Sequence, residues 1–146
     1  CTDKRVNLVT PALFAKFPDA PAFAAAKLRD IELLVKSTGF FRNKAKNIRE
    51  AARAIVRDHG GEVPGTLDAL VALPGVGRKT ANVVLGDGFG VPGVTVDTHV
   101  GRLSRRLGLT VQTDPVKVER DVMELVPQPE WTRFSHRLIL HGRQVC

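Results

Sequence analysis

The stretch Leu73-Pro74-Gly75-Val76-Gly77-Arg78-Lys79-Thr80 decides how this chain folds and suggests what it binds. Pro74 ends the apolar helix before it, because proline has no N–H and disfavours helical geometry in the preceding residue. Gly75 and Gly77 permit a tight turn, and their N–H groups can converge on one anion with those that open the next helix. Lys79 follows two residues later. The stretch therefore predicts that backbone N–H groups bind a phosphate next to the amine of Lys79.

The charge of the chain predicts a polyanionic partner. Its 146 residues include 22 Lys and Arg against 15 Asp and Glu, which gives a net charge of +7. A balance of this size is typical of proteins that bind nucleic acid, although a basic protein of ribosomal type would share it. Seven Phe, one Trp and no Tyr argue against an aromatic platform for single strands. Nucleic acid is the predicted partner, bound by some means other than single-strand stacking.

Composition also indicates where the protein works. No apolar run approaches the roughly 20 residues that span a bilayer, and no secretory signal is visible. The cysteines Cys1 and Cys146 stand at opposite ends and do not make a disulfide framework. We therefore expect a cytoplasmic, nucleoid-associated protein. The chain does not begin with Met, so we expect residues 1–146 to be one domain of a longer protein, with two small lobes sharing a core as the alternative.

Apolar residues recur at helical spacing nearly throughout, which predicts an all-α protein of eight to ten helices. The candidate strand Val94–Val96 is too short to build a sheet. We expect Val118, Val122 and Leu125 to face inward on one helix, and Gly142 to follow the final helix. Helix N-caps are predicted at four residues: Asp19, Asn43, Asp97 and Asp114.

The residues around the opening stretch complete a recognisable unit. Apolar residues flank the turn on both sides, and Ala81 is small where two helices must approach. The pattern over residues 66–86 is similar to a helix-hairpin-helix, which grips the DNA backbone and carries no sequence information. It predicts DNA contacts at five residues: Gly75, Val76, Gly77, Arg78 and Thr80.

Lys79 and Asp97 are the candidates for chemistry. As a surface cation, Lys79 would add one salt-dependent phosphate contact, and spacing alone favours this interpretation. As a nucleophile it must be neutral, a form that burial, the adjacent arginine and a helix N-terminus would favour. Asp97 is expected to be a helix cap. A carboxylate fixed in this way can also stabilise a developing cation or move a proton.

Two further groups are candidate DNA contacts. Phe40 follows a glycine in a turn and is either a core residue or a wedge that enters the base stack, with Arg42 and Lys44 on the DNA backbone. Thr98 and His99 open the helix after the predicted aspartate cap and are also predicted contacts. A histidine in such a position is more often a hydrogen-bonded structural residue.

Together these residues resemble endonuclease III, of the helix-hairpin-helix DNA glycosylase superfamily. The separation of Lys79 and Asp97, 97 − 79 = 18 residues, matches the family pattern. The resemblance covers essentially the whole chain, and its anchors are Thr2-Asp3, Asn7, residues 39–45, Gly61-Glu62-Val63-Pro64, and residues 73–85, 96–99 and 138–143.

The resemblance implies a bifunctional glycosylase and abasic-site lyase with its DNA in a cleft between two lobes, working as a monomer. Such an enzyme flips a damaged pyrimidine out of duplex DNA. Lys79 would then attack the sugar C1′, assisted by Asp97, and the resulting Schiff base would permit β-elimination. Phe40 falls where the family inserts a residue near the lesion.

The resemblance also implies a cofactor. Cys146 matches the first of four cysteines that hold a four-iron four-sulfur cluster, and the other three would lie downstream. Two alternatives remain open from the residues alone. A non-catalytic helix-hairpin-helix module would need neither Lys79 nor Asp97. The other alternative is a monofunctional glycosylase that acts on mismatched bases; the resemblance argues against it, because adenine glycosylases of the superfamily generally lack a lysine at this position.

Overall fold

The computed structural model describes residues 2–146 and confirms the all-α class, with nine α-helices and no β-strand in that part of the chain. It divides into two compact units, Cys1–Val76 and Gly77–Cys146, and the boundary falls inside the predicted hairpin turn. Within the same residues, every helix is too short or too polar to cross a membrane.

The first unit buries a mixed aromatic and aliphatic core. Ile31 and Ala45 are completely buried in it. Its elements are α1 (Asp3–Lys16), α2 (Ala20–Ala25), α3 (Leu28–Val35), a 3₁₀ turn (Lys36–Thr38), α4 (Phe41–His59) and α5 (Leu67–Val71). The buried core residues are Leu13, Phe17, Phe23, Ile31, Val35, Ala45 and Ala52.

Helix starts in this unit confirm one predicted cap and correct another. Asp19 caps α2 by accepting a hydrogen bond from the N–H of Ala22 at 2.8 Å. Asn43 is not a cap, because α4 begins two residues earlier, at Phe41. The left-handed backbone of Phe40 (φ +48°) has already turned the chain into the helix, so Asn43 lies in its first turn.

The second unit has a smaller, valine-rich core. Val94, Val118 and Val122 are completely buried, as predicted for the last two, but Leu125 is 59% exposed and does not face inward. The elements are α6 (Arg78–Val83), a π-helical turn (Val84–Gly88), α7 (Thr98–Arg106), α8 (Pro115–Leu125), a 3₁₀ turn (Gln128–Glu130) and α9 (Trp131–Gln144).

The end of α9 differs from the prediction for a physical reason. Gly142 is buried inside the helix and does not follow it. A Cβ at this position would lie 2.8 Å from the Cβ of His99 on α7, which is closer than real contacts allow. The glycine therefore permits close packing of two helices, a use that the sequence pattern does not distinguish from a helix stop.

Candidate functional site

The hairpin turn requires glycine at one of its two predicted positions. Gly75 has φ +77°, and a Cβ there would lie 2.7 Å from the Cβ of Asn47 on α4. Gly77 has the extended φ of −91° and is the N-cap of α6. Since Gly77 offers no side-chain cap to α6, the first N–H groups of this helix have no such partner.

Lys79 and Asp97 line the same cavity in the second unit, with a volume of about 760 Å³. Among the described residues that line it, Asp97 is the only carboxylate. Lys79 is exposed and not buried as the sequence argument supposed. The basic side chains in the cavity wall are Lys79, Arg102, Arg105 and Arg143, with His99 beside them.

Asp97 is the N-cap of α7, as predicted. Its Oδ1 accepts hydrogen bonds from the N–H groups of His99 and Val100, both at 2.9 Å. Neither of these bonds uses its Oδ2. One oxygen therefore fixes the side chain, and the other is available to a molecule in the cavity.

Two buried polar side chains hold the segment that leads into Asp97. Asn82 of α6 donates from Nδ2 to the backbone oxygen of Val94 at 3.0 Å, and the N–H of Thr95 donates to Ser135 Oγ of α9 at 2.9 Å. Sequence reasoning did not identify Asn82 or Ser135. The available signal was a polar residue on an otherwise apolar helix face, which is buried only where it has a partner.

Arg78, predicted to contact DNA, has a protein partner. Its guanidinium forms a bidentate ion pair with Glu119 of α8, with N–O distances of 2.7 and 2.8 Å. Glu119 is 7% exposed and the Arg78 side chain is 43% exposed. This pair fastens the start of α6, and with it Lys79, to α8.

Phe40 is 87% exposed, which removes the core interpretation and leaves the wedge as a prediction. Arg42 beside it is also exposed. Lys44 is half-buried, and its ammonium donates to the backbone oxygen of Thr38 at 2.8 Å and to Thr38 Oγ1 at 3.2 Å. The structure thus gives Lys44 a protein partner where the charge pattern predicted a DNA phosphate.

Arg102 links α7 to the end of the chain. It donates to the backbone oxygens of Gly142 and Cys146, at 3.3 and 3.1 Å, and lies 3.3 Å from His99 Nδ1. His99 is therefore a hydrogen-bonded residue of the α7–α9 contact. Its predicted contact with DNA, like that of the exposed Thr98, stays a prediction.

Comparison with known proteins shows the class of protein to which this chain belongs. Residues 1–128 match the sequence profile of the HhH-GPD superfamily base excision DNA repair proteins. Endonuclease III of Synechocystis sp. is 62% identical over 147 residues, which cover 100% of this chain and 67% of that relative. Endonuclease III of Bacillus subtilis is 50% identical with the same coverage.

A solved structure gives the same result. A trapped endonuclease III–DNA covalent intermediate superposes with a TM-score of 0.93 at 45% identity, over 98% of this chain and 68% of that one. The chain therefore belongs to the HhH-GPD superfamily and, within it, to the endonuclease III family. Its function is base excision DNA repair as a DNA glycosylase and abasic-site lyase.

The endonuclease III family carries a four-iron four-sulfur cluster, and the described residues supply only one cysteine toward it. A cluster of this kind needs four cysteine ligands. Cys146 is exposed, and its Sγ lies 3.3 Å from Arg102 Nη1 and 3.1 Å from Arg106 Nη1. Residues 2–146 contain no group of three or more metal-binding side chains. They do not hold a cluster by themselves.

Proposed function

We propose that this chain excises oxidised pyrimidines from double-stranded DNA, with Lys79 as the nucleophile and Asp97 as the carboxylate that assists it. One observation carries the proposal: the two side chains line a single cavity in which no other described residue supplies a carboxylate. Its volume of about 760 Å³ is that of a small-ligand site. A flipped nucleotide therefore has room in it.

In the proposed reaction, the neutral amine of Lys79 attacks C1′ of the sugar. The C1′–N bond breaks, and the base leaves with the bonding electrons and takes up a proton. Asp97 stabilises positive charge on the sugar and accepts a proton from the attacking amine, using the oxygen that does not cap α7. The C1′–O4′ bond then breaks, O4′ takes up a proton, and a C1′=N Schiff base forms. Loss of a C2′ proton next breaks the C3′–O bond, and the 3′ phosphate leaves with the bonding electrons.

We infer that the hairpin and its neighbours hold the DNA backbone. Three exposed positions support this role, since Gly75, Gly77 and Thr80 present backbone and hydroxyl groups to solvent. We also propose that Cys146 is one cluster ligand, that the protein acts as a monomer, and that it works at the nucleoid.

Borohydride trapping tests the nucleophile. With the full-length protein and duplex DNA that contains thymine glycol, reduction should convert the Schiff base into a stable covalent complex. Lys79→Ala should abolish the complex, whereas Lys117→Ala, which removes an exposed lysine of α8, should leave it unchanged. Wild-type protein that nicks the DNA and is never trapped would contradict the proposal.

The Lys79→Ala variant and a second substrate distinguish the two alternatives. If the chain is a binding module, Lys79→Ala only weakens DNA affinity and lowers the salt slope by about one. If it is a mismatch glycosylase, duplexes with an adenine–8-oxoguanine pair react faster than duplexes with thymine glycol.

A further inference from the structure

The turn that carries Phe40 has a backbone that a bulky residue rarely adopts. Phe40 has φ +48° and is the one non-glycine residue with positive φ among residues 2–146, and Gly39 before it has φ +69°. The ring of Phe40 is 87% exposed, so packing in the core does not compensate for the strain. Other contacts must hold this turn.

Lys44 closes the turn into a ring. Its ammonium donates to both oxygens of Thr38, at 2.8 and 3.2 Å, and its backbone N–H donates to the Phe40 oxygen at 3.1 Å. Gly39 and Phe40 lie between the two ends that Lys44 joins. Gly39 and Phe40, which both have positive φ, are therefore enclosed by hydrogen bonds that Lys44 makes to Thr38 and to the Phe40 oxygen.

Thr38 gives this ring a fixed anchor. It is 8% exposed, and its Oγ1 donates to the backbone oxygen of Val35 at 2.8 Å. It also ends the 3₁₀ turn Lys36–Thr38, where the last carbonyl groups lack helical partners and carry the negative end of the dipole. An ammonium is the favoured partner at such an end.

We propose that Lys44 is a positioning residue that keeps Phe40 projected for entry into the base stack. This inference rests on the proposed function, and specifically on the wedge role of Phe40. A lysine whose ammonium is bound to Thr38 acts through the turn that it closes. Phe40, with its ring in solvent, is the group that meets the DNA.

The experiment separates unstacking from backbone binding in the full-length protein. Phe40→Ala, Lys44→Met and the double variant are compared on duplex DNA with thymine glycol and on a single strand with an abasic site, which needs no unstacking. A 2-aminopurine beside the lesion reports unstacking by its fluorescence. Lys46→Met, which removes an exposed lysine of the same helix, is the matched control.

We expect Lys44→Met to lower the duplex rate and the rate of the fluorescence rise about tenfold, and to leave single-strand cleavage unchanged. Adding Lys44→Met to Phe40→Ala should cost less than about twofold more, because both act on one step. Thr38→Val should show a smaller defect of the same kind. Thr38 is buried, so its loss cannot remove a DNA contact.

Three results would overturn the inference. The effects of Lys44→Met and Phe40→Ala could multiply, the salt slope of binding could fall by about 0.9 as for a lost phosphate contact, or Phe40→Ala could leave the duplex rate unchanged. None of these affects trapping at Lys79, so the proposed function would stand or fall separately. If Lys44→Met also loses single-strand activity, the variant has a general defect and only Thr38→Val tests the proposal. Normal base unstacking by Thr38→Val would then contradict it.

Discussion

Asp97 has one observed role, as the cap of α7, and one proposed role, in the chemistry. Its Oδ1 caps α7, and its Oδ2 is available for the proposed chemistry. Asparagine keeps an oxygen that can accept both cap bonds but lacks the charge. We therefore expect Asp97→Asn to keep the free energy of unfolding within about 0.5 kcal/mol of wild type and to lower the excision rate about 100-fold. Urea unfolding and single-turnover kinetics measure the two effects.

Asp19 offers the matched control, because it caps α2 in the same way and belongs to the other unit. Asp19→Asn should change neither quantity. An excision rate that Asp97→Asn leaves intact would show that the cap is the whole role of this residue.

At this scale the sequence predicts local partners and misses distant ones. The Asp97 cap was readable because donor and acceptor lie two and three residues apart. Arg78 and Lys44 were predicted as phosphate contacts because both are cations beside a turn. Their carboxylate and carbonyl partners, Glu119 and Thr38, lie 41 and six residues away and become neighbours only in the folded chain.

The contact between α7 and α9 predicts that replacing Gly142 with alanine lowers the free energy of unfolding, whereas helix propensity alone predicts a rise. Alanine is favoured over glycine in a helix by about 1 kcal/mol. At Gly142, however, the added Cβ would meet His99 at 2.8 Å. We expect Gly142→Ala to lower the free energy of unfolding by about 1–3 kcal/mol in urea titrations.

Gly101, another helical glycine, provides the comparison. A Cβ there would lie 3.7 Å from its nearest neighbours, which is an ordinary contact. Gly101→Ala should therefore leave the free energy of unfolding unchanged or raise it by up to about 1 kcal/mol. Equal effects of the two substitutions would show that packing against His99 does not decide the outcome.

The ion pair that joins α6 to α8 predicts an asymmetry. Arg78→Met leaves the carboxylate of Glu119 without this partner in a buried site, which we expect to cost about 2 kcal/mol of unfolding free energy. Glu119→Met should cost less, because the Arg78 side chain is 43% exposed and water can solvate it. Urea titration of both variants tests this. If Arg78→Met instead keeps the free energy of unfolding and weakens DNA binding, Arg78 acts mainly as a phosphate contact.

The existence of the helices was predictable, and so were the starts that Asp19 and Asp97 cap, but two other helix ends were not. Periodicity located each helix, but α4 starts before Asn43 and α9 continues past Gly142. The first depends on a strained backbone at Phe40 and the second on a neighbouring helix. Local residue preferences therefore predict neither the start of α4 nor the end of α9.

For the whole molecule, the fold class and the Lys79–Asp97 pair followed from the sequence, while the cavity that both line did not. The pair could be inferred because its separation of 18 residues (97 − 79) matches the pattern of the family that the sequence resembles. Asn82 and Ser135 form buried hydrogen bonds with Val94 and Thr95, in the segment that leads to the cavity-lining Asp97. Such bonds join elements that are distant along the chain.

The net charge of +7 makes a prediction for the molecule as a whole. Cations that neutralise phosphates release counterions, so a footprint of about four phosphates gives a slope near −3.6 for log affinity against log salt concentration. We expect undamaged duplexes of equal length and different sequence to bind within about twofold of each other, because backbone contacts carry no sequence information. Fluorescence anisotropy at salt concentrations from about 50 to about 200 mM measures the salt slope and the dependence of affinity on sequence. A slope near zero, or affinity that depends on sequence, would show that the basic surface is not what holds the DNA.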